Sequence, residues 1–153
     1  ITSGNSSMKN PLGLMQGRLL PKYQGRYQAH PVDYWQDEFP IAAELGLDCI
    51  EFILDYNDAE RNPLLTREGL RLIQSLSEQT GVKVLSVCAD YFMQLPLHAP
   101  DNQTVEKSMD ILRRLLDASA EVGIQDIVIP CVDQSGIQDP QRRERFQHRL
   151  ADE

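Results

Sequence analysis

At 153 residues, 41% hydrophobic and 25% charged, the chain has the length of one globular domain, with no apolar run near the roughly 20 residues of a transmembrane helix. Its net charge of -8 argues against a surface that grips nucleic acid phosphates broadly. The charge is uneven: residues 1–32 hold four bases (Lys9, Arg18, Lys22, Arg26) and no acid, so the remainder, with 11 bases against 23 acids, carries -12.

The first seven residues, ITSGNSS, lack the charged and apolar regions of a signal peptide. They read as an expression scar before a start at Met8. PLGLM (11–15) is a short apolar run, and the acid-free loop follows it. DYWQDEFPIAAELG (33–46) predicts a helix closed by Gly46, with Pro40 in its first turn or kinking it. LDCIEFIL (47–54) predicts a strand. Residues 66–81 predict a helix capped by Thr66, carrying Leu72, Ile73 and Leu76, and ended by Gly81. VKVLSVCA (82–89) predicts a third strand. Asp101 caps a long helix to about Val122, whose apolar set is Val105, Met109, Leu112 and Leu116. IQDIVIP (124–130) predicts a fourth strand, and Asp139-Pro140 a last helix.

Four strand–helix repeats imply an α/β fold with a parallel sheet, in strand order 1-2-3-4. The loops from strand to helix are long, about 7 to 17 residues, and the returns are one or two residues. Long loops on one face are where such a protein builds its site.

Strand alternation then places side chains. Ile50, Phe52 and Leu54 face the covering helices, and Glu51 points the other way with Cys49 and Ile53. A mid-strand carboxylate is costly to bury alone, so Glu51 is a site residue or the partner of an internal base. Leu85 and Val87 share one face, and Ser86, Cys88 and Asp90 the other. Asp90 is a site residue or a cap on backbone amides. Gln16 and Arg18 hold the matching place after strand one. Arg18 and Arg26 are candidates to neutralise an anion, unless their loop packs on an acidic surface. His30 and His98 read as solvated loop residues before they read as ligands, and His148 as a surface residue. The three cysteines, Cys49, Cys88 and Cys131, read as free, mostly buried thiols in a reducing cytoplasm. No histidine pair has metal-ligand spacing, and no nucleotide motif or GxSxG is present.

GLMQGRL, GRYQAHP, AAELGLDCIEFILD, NPLLT, SVCADYFM and IVIPCVD, in this order from about Leu12 to Val132, resemble the bacterial sugar phosphate isomerase/epimerase family. That family belongs to the xylose isomerase-like TIM barrels, whose wider circle includes endonuclease IV. The resemblance implies a (β/α)8 barrel, a divalent metal (Mn, Mg or Zn), and proton transfer next to a sugar carbonyl. It implies catalytic roles for Glu51 and Asp90, and substrate contacts for Gln16, Arg18, Arg26, His30 and Tyr91. The implied substrate is a small anionic sugar, and neither nucleic acid nor membrane is an expected partner. A nuclease role is disfavoured by the acidic charge.

The chain holds only four βα units, a (β/α)4 half of a TIM barrel, whereas a barrel takes roughly 250 residues. The family's metal ligands belong to strands five to eight, so no metal site is expected here. The expectation is a chain inactive alone, or a non-catalytic sugar-binding or assembly module. Two open edges and an inner face carrying Val84 and Val128 predict a homo-oligomer or a second half-barrel as partner. The last helix, with Phe146 and Leu150 as its only large apolar residues and four arginines, reads as weakly anchored.

Overall fold

The computed structural model describes residues 10–153. The segment read as an expression scar, and Met8, lie outside the described residues. One sheet holds β1 (Gly13–Met15), β2 (Cys49–Ile53), β3 (Lys83–Cys88) and β4 (Asp126–Val128), in order β1-β2-β3-β4. Every neighbouring pair is parallel. Helices α1 (Glu38–Glu44), α2 (Arg67–Thr80), α3 (Tyr91–Gln94), α4 (Asn102–Val122) and α5 (Pro140–Ala151) lie between and after the strands. This is the predicted (β/α)4 half of a TIM barrel.

The helix signals are local and hold. Thr66 Oγ1 accepts from the Gly69 amide, Asp101 from the Thr104 amide and Asp139 from the Gln141 amide. Gly81 and Gly123 close α2 and α4 in the left-handed region. The first helix is shorter than predicted: a 3-10 turn at Trp35–Asp37 precedes α1. Pro40 has no N–H to give, so the helix can begin only where Pro40 falls in its first turn.

The core lies between sheet and helices. Phe39, Ile50, Phe52, Leu54, Ile73, Val87 and Leu115 are fully buried in it. Within α4 the buried face is set by Val105, Met109, Ile111, Leu112 and Leu115, while the predicted Leu116 is exposed. Ser108, Ala118 and Ser119 are buried as well, so the face is centred to one side of Val105, where Leu115 lies nearer its middle than Leu116. Leu72 is likewise exposed on α2, where Leu70 and Ile73 turn inward. The strands are shorter than the apolar runs that predicted them, and the shortest, β1 and β4 at three residues each, have a strand on only one side among the described residues.

The alternation expected for strand three fails. Ile50 pairs with Val84, but Glu51 pairs with Ser86, so Leu85 is an extra residue in a bulge. Val84 and Val87 are therefore both buried against the helices, and Leu85 is half-buried near Pro11, Asp48 and Lys83. Val84 is thus not on the open face, where Val128 stands 44% exposed. The bulge brings Glu51 opposite Ser86, and Ser86 Oγ donates to Glu51 Oε2 at 2.6 Å.

α5 is held by more than its two apolar residues. Phe146 packs edge-on against His98 at 5.5 Å between centroids. Arg142 Nε donates to the His98 carbonyl at 2.6 Å, and Arg149 donates to the Leu97 carbonyl.

Gly17 (φ +85°) turns the chain out of β1, where a Cβ would strike the Tyr27 carbonyl and come within 2.8 Å of the Ala29 oxygen. Gly17→Ala should therefore lose at least about 1–3 kcal/mol of stability. Urea unfolding measures it, and an unchanged midpoint would show that the loop accommodates the methyl.

Candidate functional site

The loop after β1 is fixed by two buried polar side chains. Gln16, fully buried, puts Oε1 between two donors: the Ile53 amide at 3.1 Å and His30 Nδ1 at 3.0 Å. Because a backbone N–H must meet an acceptor, that atom is the amide oxygen, and His30 carries its proton on Nδ1. His30 Nε2 and Gln16 Nε2 have no partner and are buried. The imidazole lies among Trp35 and Phe52. Burial pushes its pKa down to about 4, so it is neutral at pH 7. The expectation of a solvated His30 is corrected by these surroundings, which the neighbouring sequence does not reveal. His98 is corrected in the same way, being buried with Nε2–H donating to the Ser135 carbonyl at 2.9 Å. His148 is exposed, as read.

The second anchor is Glu38, fully buried in the first turn of α1. Its Oε2 accepts from the Gly17 amide at 2.8 Å and its Oε1 from the Leu19 amide at 3.0 Å. Burial raises its pKa, and the amide bonds oppose that rise. Sequence reasoning missed Glu38. The acid-free loop is thus not lacking an acid: α1 supplies one from below.

At the C-terminal ends of the strands a cavity of about 550 Å³ opens. Arg26, Asp55, Tyr56, Asp90 and Gln134 are among its walls. Arg26 Nη2 lies 3.4 Å from Asp55 Oδ1, with its side chain half-exposed. Asp55 Oδ2 accepts from the His30 amide at 3.0 Å, so the acid that faces Arg26 also closes the loop. Asp90 accepts from the Cys88 thiol at 3.3 Å. Burial raises the Asp90 carboxyl, the thiol bond lowers it, and the acids Asp55 and Glu51 raise it further. Burial, then Asp90, push the Cys88 thiol up to about 12, so it stays a donor.

Of the residues singled out in the sequence, Arg26 and Asp90 line this cavity. Glu51 sits on β2 with its carboxylate on Ser86, close enough to Asp90 to act on its charge. Gln16 and His30 lie beneath the loop as its supports. Arg18 is exposed and donates to Gln28 Oε1 at 3.2 Å, apart from the lining. Tyr91 is buried on α3, where it packs on Tyr56 and Phe92. Asp55, Tyr56 and Gln134 were missed. The available signal was position, since Asp55 follows β2 much as Asp90 follows β3. Among the described residues no group of three or more His, Cys, Asp or Glu side chains is arranged to hold a metal ion. The two nearest acids are taken up by a serine and a thiol. These residues alone do not fit the divalent metal of the resembled family. No described helix is long and apolar enough to cross a membrane.

A family model described as "Xylose isomerase-like TIM barrel" matches residues 39–152. The chain is also similar to the L-ribulose-5-phosphate 3-epimerases UlaE of Salmonella heidelberg and Salmonella schwarzengrund. Each is 29% identical over 100 residues, covering 65% of this chain and 35% of the relative. The chain thus spans little more than a third of the length of the curated relatives it matches.

His30 makes stability depend on pH. With its folded pKa near 4 and an ordinary value of 6.5, the unfolded chain binds a proton in that window that the folded chain does not. Stability is therefore full above pH 6.5 and falls as pH drops toward 4, by about 3 kcal/mol. Urea unfolding of the wild type and of His30→Gln at pH 7 and pH 4.5 isolates this share. The variant should lose distinctly less than the wild type; equal losses would remove His30 as the cause.

Proposed function

The chain belongs to the xylose isomerase-like TIM barrel family, and from that premise we propose that it forms the substrate-binding half of a sugar phosphate isomerase or epimerase. The observation that carries the reading is the cavity at the strand ends, where the half-exposed Arg26 faces Asp55 and Asp90. It is concave, polar and placed where α/β barrels hold substrates. The epimerase names of the relatives agree with it.

In this proposal Arg26 takes the anionic group of the sugar. A guanidinium forks onto two oxygens, and one long contact to Asp55 leaves most of its N–H groups available. Tyr56, on the wall and 47% exposed, offers a ring to the sugar's apolar face. Asp90 accepts a proton from the carbon next to the carbonyl, and Glu51 belongs to the same acidic group. A carboxyl raised by burial suits that exchange near neutral pH. Delivery of a proton to the opposite face of the same carbon, from a second acid on that side, gives an epimer; return of the Asp90 proton to the neighbouring carbon, with the hydroxyl proton passing between the two oxygens, gives an isomer. Gln16 and His30 keep the loop in place. A divalent metal enters this scheme only through residues other than these.

β1 and β4 each lack an outer strand neighbour among the described residues. The proposed catalyst is therefore an assembly in which a second half-barrel, or a second copy, covers both edges. The chain by itself binds without turning over. The free thiols fit a reducing compartment such as the cytoplasm.

Arg26→Ala should weaken sugar phosphate binding about 10- to 100-fold, the effect of losing a charge-assisted contact of roughly 1.5–3 kcal/mol. Isothermal titration with L-ribulose 5-phosphate measures it. Unchanged affinity would remove Arg26 as the anion contact and with it the proposed site.

A further inference from the structure

A second cavity, of about 360 Å³, lies between α5 and the loop that carries His98. Arg142, Arg145 and Arg149 line it from α5, and Asp139 stands at its edge. Their spacing of three and then four residues puts the arginines on one face of the helix. None of them forms an ion pair among the described residues. Three cations against one acid leave this cavity at +2, in a chain of -8.

The arginines are also held in place. Arg142 donates through Nε to the His98 carbonyl, and Arg149 through one terminal nitrogen to the Leu97 carbonyl. Each keeps other N–H groups unspent, since a guanidinium has five. Arg145 has no hydrogen-bond partner among the described residues and is exposed at the cavity.

His98 points to the kind of ligand. It lines this cavity and is only 5% exposed. Its Nε2 carries the proton, because the Ser135 carbonyl can only accept. Nδ1 is then a lone pair, buried and without a partner. A buried acceptor beside three cations suits a group that brings both negative oxygens and an O–H. Hydrogen phosphate has that combination, as does a singly protonated phosphomonoester. Sulfate at neutral pH has no proton to give.

We propose that this cavity is an oxyanion site of the phosphate class, with the three guanidiniums on the charged oxygens and His98 Nδ1 accepting from the protonated one. The site is separate from the mouth cavity and stands or falls independently of the function proposed above.

The test is isothermal titration of the full chain with inorganic phosphate, sulfate and ribulose 5-phosphate, together with ¹⁵N NMR of the His98 imidazole. Phosphate should bind saturably, at least tenfold tighter than sulfate, and should move the Nδ1 resonance. Arg145→Ala should weaken it about tenfold or more while leaving the fold intact, since that side chain is exposed and makes no contact that the loop relies on. Arg26→Ala should leave this binding unchanged, which separates it from the mouth cavity. Measured on Arg26→Ala, so that the mouth cavity does not contribute, ribulose 5-phosphate tighter than phosphate by tenfold would identify a phosphomonoester as the ligand of this cavity, and equal affinities would identify the free ion. Absence of saturable phosphate binding, equal binding of sulfate, or indifference to Arg145→Ala and Arg142→Ala together would overturn the proposal.

Discussion

The fold's working end hangs on how the chain leaves β1. A parallel strand that ends at the mouth of a sheet exposes amides with no sheet partner, and an irregular loop cannot satisfy them all by itself. Here α1 sends Glu38 up beneath the turn to take the amides of Gly17 and Leu19, and Gln16 reaches across to the amide of Ile53. Both side chains are fully buried, so neither can relax into water. Breaking either would leave buried donors unpaired, at about 1–3 kcal/mol for each. The pair joins β1, β2, α1 and the basic loop into one unit. The position of Arg26 is a consequence, because the same loop returns through His30, whose amide ends on Asp55.

Asp55 shows how structure and chemistry share residues at this end. One of its oxygens closes the loop, and the other faces Arg26. Under the proposed function, a substrate anion arriving at Arg26 would meet a guanidinium already held at the cavity wall, with less side-chain freedom to lose on binding. The long contact keeps that orientation easy to exchange, since at 3.4 Å the half-exposed guanidinium makes one weak bond to the buried Asp55. Cys88 treats Asp90 in a comparable way. Its thiol, kept protonated by burial, donates to the carboxylate without adding charge.

Local signals made most of the fold legible. Thr66, Asp101 and Asp139 mark helix starts, and Gly81 and Gly123 mark ends, because a cap depends on two or three adjacent residues. The sheet order followed from the strand–helix alternation. What stayed hidden was non-local. The bulge at Leu85 depends on how β2 and β3 fit together, and no run in VKVLSVC distinguishes it from regular alternation. The burial of His30 depends on Trp35 and Phe52 closing around it. Glu38 looked like one acid among many in an acidic helix start. For the site, residue type located Arg26 and Asp90, but the loop's path decided that Arg26 and not Arg18 faces the cavity.

Parallel topology gathers helix N-termini at one end of this acidic protein. Each helix that follows a strand begins at the strands' C-terminal end, with its unpaired amides and the positive end of its dipole there. α4 and α5 spend those amides on Asp101 and Asp139, so their starts are capped and not free for a ligand. Anion attraction at this end must then come from side chains. The arginine face of α5 provides it beside His98, with three cations against Asp139, whereas at the mouth Arg26 stands against Asp55 and Asp90 and acts as a local contact. In a chain of -8, the α5 face is therefore where a small anion would be drawn on approach. Screening over about 8 Å at physiological ionic strength keeps the rest of the negative surface from cancelling that attraction at contact distance.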